Sequence, residues 1–218
     1  MSILGGPLVL ATHNEHKRRE FARLLAQWGG QGRWELAMLP AAVMLPPEDG
    51  ETFAENALGK ARAAAHATGR PSIADDSGIE AAALGGAPGV RSARYAGENA
   101  SDGQNLQKLR REVPAGSALE YVCAIAYVDP SGSVEQVFEG RCSGRMADEP
   151  RGEGGFGYDP VFLPDESPPA DRRSSPRVGA AAVTMAELSD QQKDAISHRG
   201  RAARALLAWL QAPVPRED

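Results

Sequence analysis

Residues 72–80 read Ser72-Ile73-Ala74-Asp75-Asp76-Ser77-Gly78-Ile79-Glu80, and the stretch beyond them closes with Pro88-Gly89-Val90-Arg91-Ser92-Ala93-Arg94-Tyr95-Ala96-Gly97. A short apolar strand over 72–74 leads straight into an adjacent acidic pair. Successive side chains on a strand point to opposite faces. Two neighbouring Asp at a strand end can therefore take different tasks, one in a pocket and one bracing the loop. A carboxylate at the rim of a sheet, next to a hydroxyl and a Gly, suits a hard divalent cation or a proton acceptor. A plain turn stands beside that reading, because Asp-Ser-Gly clusters also end strands.

Outward from this segment the chain alternates strand and helix. Leu8-Val9-Leu10-Ala11 reads as a buried strand. A helix follows from Lys17, with Phe21, Leu24, Leu25 and Trp28 on one apolar face, and Gly29-Gly30 stop it. Thr52-Phe53-Ala54-Glu55 is a capping-box start for a helix reaching about His66. Ser101 with Gln104 caps another that carries Leu106, Leu109 and Val113. Residues 118–129 form the strongest strand; Asp129-Pro130-Ser131-Gly132 turns it into a second strand over 133–140. A Gly-rich loop, 152–157, precedes a short strand at 161–163. Residues 164–182 are rich in Pro, Arg and Ser, without periodicity, and read as an exposed, mobile loop. Ser189 with Gln192 caps one last helix, ended by Pro213 and Pro215. The order predicts an α/β fold on a mixed sheet.

The 218 residues, 42% apolar and 24% charged, suit a single domain with a sizeable core. No apolar run approaches a membrane span, and the start lacks a basic segment followed by a long apolar stretch. The two cysteines, Cys123 and Cys142, sit in no metal-ligand spacing and read as reduced residues of a cytoplasmic protein. A net charge of −5 and a pI near 5.5 argue against a broad nucleic-acid surface. An anionic ligand would need a metal ion and local cations to offset that field. The basic residues are 20 Arg and 4 Lys, so a Lys at a motif position stands out.

Four further segments can carry chemistry, and each has a plainer reading. Thr12-His13-Asn14-Glu15-His16-Lys17 joins a strand to a helix, where free N–H groups and a positive dipole end suit phosphate. Taken alone, simple N-capping by Thr12 or Asn14 is the favoured reading. Pro46-Pro47-Glu48-Asp49-Gly50 offers a carboxylate toward a metal near Asp76, or merely complements the next helix dipole. In Gly154-Gly155-Phe156-Gly157-Tyr158-Asp159-Pro160 the glycines allow close backbone approach. Phe156 could stack on a base while Asp159 reads its polar edge, or the ring could simply pack in the core. Lys193 and Ser197-His198-Arg199 lie on or near the last helix, where a His-Arg pair is commonly solvated surface. Lys193 and His198 face different ways unless a helix start intervenes.

Taken in order, these segments resemble the inosine triphosphate pyrophosphatase family, the noncanonical purine nucleoside triphosphate pyrophosphatases. Thr12-x-Asn14-x-x-Lys17 resembles its phosphate motif, and residues 48–57 its acidic loop and following helix. Residues 74–78 and 92–97 resemble the central signature, 155–160 the base-recognition loop, and 197–199 the C-terminal motif. Two stretches depart from the family. Glu48-Asp49 stands where two Glu are common, leaving the choice between them open. Residues 164–182 form a longer connection than usual, and Val183 replaces a frequent Lys before Thr184.

The resemblance implies an elongated, two-lobed α/β domain on a long mixed sheet, with the active site in the cleft between lobes. It implies a homodimer and a magnesium-dependent hydrolase that cuts ITP, dITP and XTP between the α- and β-phosphates. Asp76 would accept the water proton and, with Glu48, hold Mg²⁺. Thr12, His13, Asn14, Glu15, His16, Lys17, Ser77, Phe156, Gly157, Tyr158, Asp159, Lys193, His198 and Arg199 would line the nucleotide site, with Lys17 and Lys193 offsetting pyrophosphate charge. Two rivals are a silent nucleotide sensor and a hydrolase of the same fold acting on other modified nucleotides.

Overall fold

A computed structural model of the chain describes residues 6–28, 34–169 and 182–212. Most of the 164–182 loop reading and the 213–218 tail lie outside these residues. The elements run β1 (Gly6–Leu10), α1 (Glu15–Trp28), β2 (Trp34–Met38), α2 (Phe53–Thr68), β3 (Ser72–Ala81), α3 (Asp102–Glu112), β4 (Ala118–Val128), β5 (Glu135–Met146), β6 (Phe162–Pro164), α4 (Asp190–Ile196) and α5 (His198–Gln211). The six strands are ordered β2-β1-β3-β4-β5-β6. β1 pairs parallel with β2 and β3, and β5 antiparallel with β6, so the sheet is mixed as expected.

Four expectations change. β3 does not end at residue 74: it runs ten residues, through both Asp, Ser77 and Gly78. Asp, Ser and Gly are poor strand formers, but nearly every residue of this strand is buried in the sheet, and that burial overrides the preference. β5 continues to Met146, six residues past the predicted end. β2 went unread, because Trp34-Glu-Leu-Ala-Met is five residues long with weak alternation. The final helix is two helices: α4 ends at Ile196, extended Ser197 breaks the run, and α5 opens at His198.

The chain divides into two compact units. One holds residues 1–76, 124–139 and 202–218; the other holds 77–123 and 140–201. In the first, Leu8, Leu10, Phe21, Leu24 and Ile73 are fully buried. α2 begins with the predicted capping box between Thr52 and Glu55, worth about 1 kcal/mol. It ends where Gly69 adopts a left-handed φ of 62° and its N–H reaches the Ala65 carbonyl. Its buried stripe is Phe53, Asn56, Ala57, Lys60, Ala61 and Ala64. Two polar residues thus occupy positions that an ordinary amphipathic helix gives to apolar ones.

The second unit packs Ile79, Leu109, Leu119, Tyr121, Met146, Val161, Phe162, Met185 and Ile196 into one core. Ser92 fixes its strand entry: Oγ accepts the Ile79 N–H at 2.9 Å and bonds the Gly89 carbonyl at 2.6 Å. A Cβ at Gly78 would run into that hydroxyl, which accounts for glycine there. The 151–157 loop is anchored on the segment before α4, through Gly154 N–H to the Ala186 carbonyl at 2.9 Å and Thr184 Oγ1 to the Arg151 carbonyl at 2.8 Å.

Candidate active site

β3 carries Asp75 and Asp76 as consecutive, buried residues, 1% and 5% exposed. Their side chains diverge as strand geometry requires. Asp75 Oδ2 lies 3.2 Å from Lys17 Nζ, on the first turn of α1. Asp76 Oδ2 accepts from Asn56 Nδ2 at 2.9 Å, and Asp76 Oδ1 lies 3.5 Å from Lys60 Nζ. Lys60 also donates to Glu48 Oε1. Asn56 and Lys60 are one helical turn apart on the buried stripe of α2, which aims both at the same strand position. The two carboxylates therefore take different partners, as expected of neighbours on a strand, but within the strand instead of at its end.

Electrostatics follow from burial and from Lys60. Burial raises the pKa of Asp76, and Glu48 adds to this; Lys60, Lys17 and the Asn56 hydrogen bond pull the other way without cancelling it. Glu48 feels burial too, but Lys60 outweighs it and holds the carboxyl below its usual range. Lys60 in turn, despite burial, is raised by Asp76, Asp75 and Glu48. One carboxylate thus stays firmly ionised while its neighbour is biased toward taking a proton. Three carboxylates and two ammonium groups leave this cluster one negative charge in excess.

Among the described residues no group of three or more His, Cys, Asp or Glu could hold a metal ion by itself. Glu48 and Asp76 are nonetheless two hard oxygen donors converging on one cation, the Lys60 ammonium. Magnesium is commonly held by one or two carboxylates plus substrate phosphates and water, so this donor set fits it. The acidic alternative Asp49 is exposed, whereas Glu48 meets Lys60.

At the start of α1, Asn14 Oδ1 accepts the N–H groups of His16 and Lys17 at 2.9 and 3.1 Å, and Thr12 Oγ1 accepts that of Asn14. The capping reading of this segment therefore holds, and Lys17 joins the acidic cluster. His13, Glu15 and His16 are exposed, and Glu15 pairs with Arg18.

The other sequence candidates gather in the second unit. Asp159 is 3% exposed. Its Oδ2 accepts the Phe156 N–H at 3.0 Å and the Lys193 ammonium at 2.8 Å, while Oδ1 accepts the Tyr121 hydroxyl at 3.0 Å. Its carboxylate thus organises the loop. Gly155, at φ 70°, lies so close to that carboxylate that a Cβ would collide with it. Phe156 is half-buried, with Lys193 Nζ 5.1 Å and the Arg199 guanidinium 5.6 Å from its ring centre. Arg199 Nη2 donates to Ser77 Oγ at 2.7 Å. The break between α4 and α5 lets Lys193 and the 198–199 pair serve this one cluster. Gly157 donates its N–H to Asp102. Tyr158, expected against the nucleotide, is 6% exposed and packs in the core with its hydroxyl on the Ser92 carbonyl.

Sequence reading gave no role to Lys60, Asn56 or Tyr121. The first two carried a visible signal, a lysine and an asparagine on the apolar stripe of a helix. Tyr121 sits in an apolar strand and carried none.

Known proteins share this arrangement of chain. A dITP/XTP pyrophosphatase of Mycolicibacterium paratuberculosis is 45% identical over 210 residues, covering 94% of this chain and 96% of its own. One from Deinococcus radiodurans is 45% identical over 204 residues, covering 92% and 91%. A solved HAM1 protein from Coxiella burnetii superposes with a TM-score of 0.76 at 38% identity, covering 94% of this chain and 98% of the other. The Ham1 protein of Staphylococcus aureus gives 0.73 at 37% identity, with the same coverage. The family model matches residues 8–209, and the chain belongs to the Ham1 family.

Proposed function

We propose that this chain hydrolyses deaminated-purine nucleoside triphosphates, ITP, dITP and XTP, to the monophosphate and pyrophosphate, clearing them from the nucleotide pool. The carrying observation is the cluster of half-buried Glu48 with buried Lys60 and Asp76, in a family whose relatives bear the name dITP/XTP pyrophosphatase. Asp76 accepts the proton of the attacking water, a task suited to a carboxyl whose pKa burial has raised. Asn56 and Lys60 fix its orientation. Glu48 and Asp76 hold magnesium, which when bound neutralises phosphate oxygens. Lys17, paired with Asp75, adds positive charge next to Glu48 and Asp76. Phe156 offers a ring face for the purine, with Lys193 and Arg199 beside it as donors to the 6-keto oxygen; Lys193, expected to offset pyrophosphate charge, is reassigned to the base because it pairs with Asp159 beside that ring.

The setting belongs to the same proposal: a magnesium-dependent homodimer in the cytoplasm. Both cysteines are free, which suits a reducing compartment. Among the described residues no helix is long and apolar enough to cross a membrane.

Adenine presents an amino donor at position 6 where hypoxanthine presents an acceptor. One buried donor left unpaired costs about 1–3 kcal/mol, so ITP should be preferred over ATP by about 5- to 150-fold in kcat/KM. Equal rates on the two would refute this account of recognition. Turnover in ¹⁸O-labelled water should place the label in the monophosphate. Label in pyrophosphate means attack at the β-phosphorus, and primary release of free phosphate would overturn the reaction type.

A further inference from the structure

Tyr121 lies on β4, outside every motif that carries the proposed reaction. It is 6% exposed. Its hydroxyl donates to Asp159 Oδ1 at 3.0 Å. Its ring stacks on His198, with centroids 4.5 Å apart and planes 10° apart, and meets Phe162 on a tilt at 4.4 Å. Asp159 Oδ2 holds the Phe156 N–H and the Lys193 ammonium. One phenol therefore touches both segments read as nucleotide-binding in this unit: the 155–160 loop through Asp159, and the 197–199 turn through His198.

We infer that Tyr121 is a positioning residue that sets the base-binding surface and with it the choice of purine. The second torsion of an aspartate is broad and roughly two-fold, so a carboxylate held at one oxygen can still swing. The Tyr121 hydroxyl holds the second oxygen. That fixes the carboxylate plane and directs Oδ2 at the Phe156 amide and at Lys193 together. Loop and cation are thereby locked relative to each other, which a ring face and a hydrogen-bond donor must be to read one base. The parallel ring of Tyr121 meanwhile sets the plane of the His198 imidazole. A phenylalanine would fill the same core space and stack equally well. The hydroxyl is what packing does not need, and a buried tyrosine hydroxyl is kept where it finds a partner.

This inference rests on the proposed purine selectivity, and the test separates the two. Steady-state kinetics on ITP and ATP are compared for the parent, Tyr121→Phe and Phe162→Leu. The parent's own ITP-to-ATP ratio tests the functional reading: a ratio near one ends that reading whatever the variants do. Given a selective parent, Tyr121→Phe should raise KM for ITP about tenfold, with the smaller effect on kcat, and should compress the ITP-to-ATP ratio by several-fold. Losing a hydrogen bond to a charged group justifies that size. Phe162→Leu loosens the core against the same ring but leaves the hydroxyl in place. It should lower the melting temperature and keep the ratio.

A second readout does not depend on turnover. Amide hydrogen exchange at Phe156, whose N–H is held by Asp159, should speed up in Tyr121→Phe. An unchanged ratio in a selective, folded Tyr121→Phe overturns the inference. So does an equal change in Phe162→Leu, or unchanged Phe156 exchange. Failure of Tyr121→Phe to fold would overturn it as well, because the hydroxyl would then serve stability and not base recognition.

Discussion

Asp76→Asn is expected to cost about 10²–10⁴-fold in turnover, the usual size of a lost general base. The substitution keeps the shape and removes the proton acceptor. It also leaves a mismatch. Asp76 now receives Asn56 Nδ2 on one oxygen and faces Lys60 on the other. An amide has a single acceptor oxygen, so one of those donors meets an NH₂ group. Against that local cost stands a gain in the charge balance. Asp76 has a folded-state pKa raised by burial and by Glu48. A raised carboxyl pKa means the folded chain holds the proton more tightly than the unfolded chain. Its contribution favours folding at low pH and becomes a cost as pH rises through the folded-state value. At neutral pH the Asn variant sheds that cost, so its melting temperature should stay close to the parent's. Activity and stability therefore separate. A folded Asp76→Asn enzyme with near-normal turnover would end the assignment of Asp76 as base. The same raised pKa places the acid limb of the parent's kcat/KM profile above the ordinary aspartate range, and that limb should vanish in the variant. Asp75→Asn is the matched control. It loosens Lys17 and should lower turnover less.

How much of this was legible in the sequence depends on which physical rule each segment obeys. The capping boxes at Thr52, Ser101 and Ser189 are local chemistry, and all three helices begin where those residues say. The strand beginning at Ala118 and its turn at Asp129 were equally plain. β3 was misread because its ending was judged from residues 75–78, whose own preferences favour a turn; pairing and burial decided otherwise. The break before His198 was invisible to periodicity, since α4 and α5 together carry a continuous apolar pattern. Local signals placed most site segments in the sequence. They could not show how those segments brace one another. Asp159 was expected to read a base, yet its oxygens hold Phe156, Lys193 and Tyr121, partners drawn from three separate stretches. Lys60 should have been caught. Of 4 lysines in the chain, three lie in these two clusters, and only Lys60 interrupts an alanine-rich face.

Lys60→Met should produce the largest loss of stability of any single change in the acidic cluster. The methionine fits the length of the lysine stem and suits the Ala57–Ala61 surroundings, so packing changes little. What disappears is the ammonium that holds both Glu48 and Asp76. Breaking a buried ion pair from one side costs about 3–5 kcal/mol, because the remaining charges lose their partner but stay desolvated. Sign and pH range follow from the shifts. Burial alone would raise Glu48, yet Lys60 holds it below its usual range. A depressed carboxyl pKa contributes stability above the unfolded-state value and loses it as pH falls through the folded-state value. Lys60, whose pKa is raised, contributes through the whole neutral range and stops only at strongly alkaline pH. In the parent, then, the Lys60–Glu48 pair stabilises the fold at neutral pH and weakens on the acid side, while Asp76 runs the opposite way. In Lys60→Met only the weaker pull of Lys17 is left to depress Glu48, and protonating Glu48 or Asp76 relieves their repulsion. The stability gap between parent and variant should therefore be widest near about pH 7 and should narrow toward about pH 5. Urea melts at the two values measure it. A gap that is absent at neutral pH, or that widens on acidification, would show that Lys60 is not what holds these carboxylates. Magnesium alone supplies a last discriminating arm. With the ammonium gone, two hard oxygen donors are left to a divalent cation, and binding to the folded state stabilises it by mass action. Added Mg²⁺ should restore part of the variant's lost stability, and more than it adds to the parent, whose lysine already occupies that position.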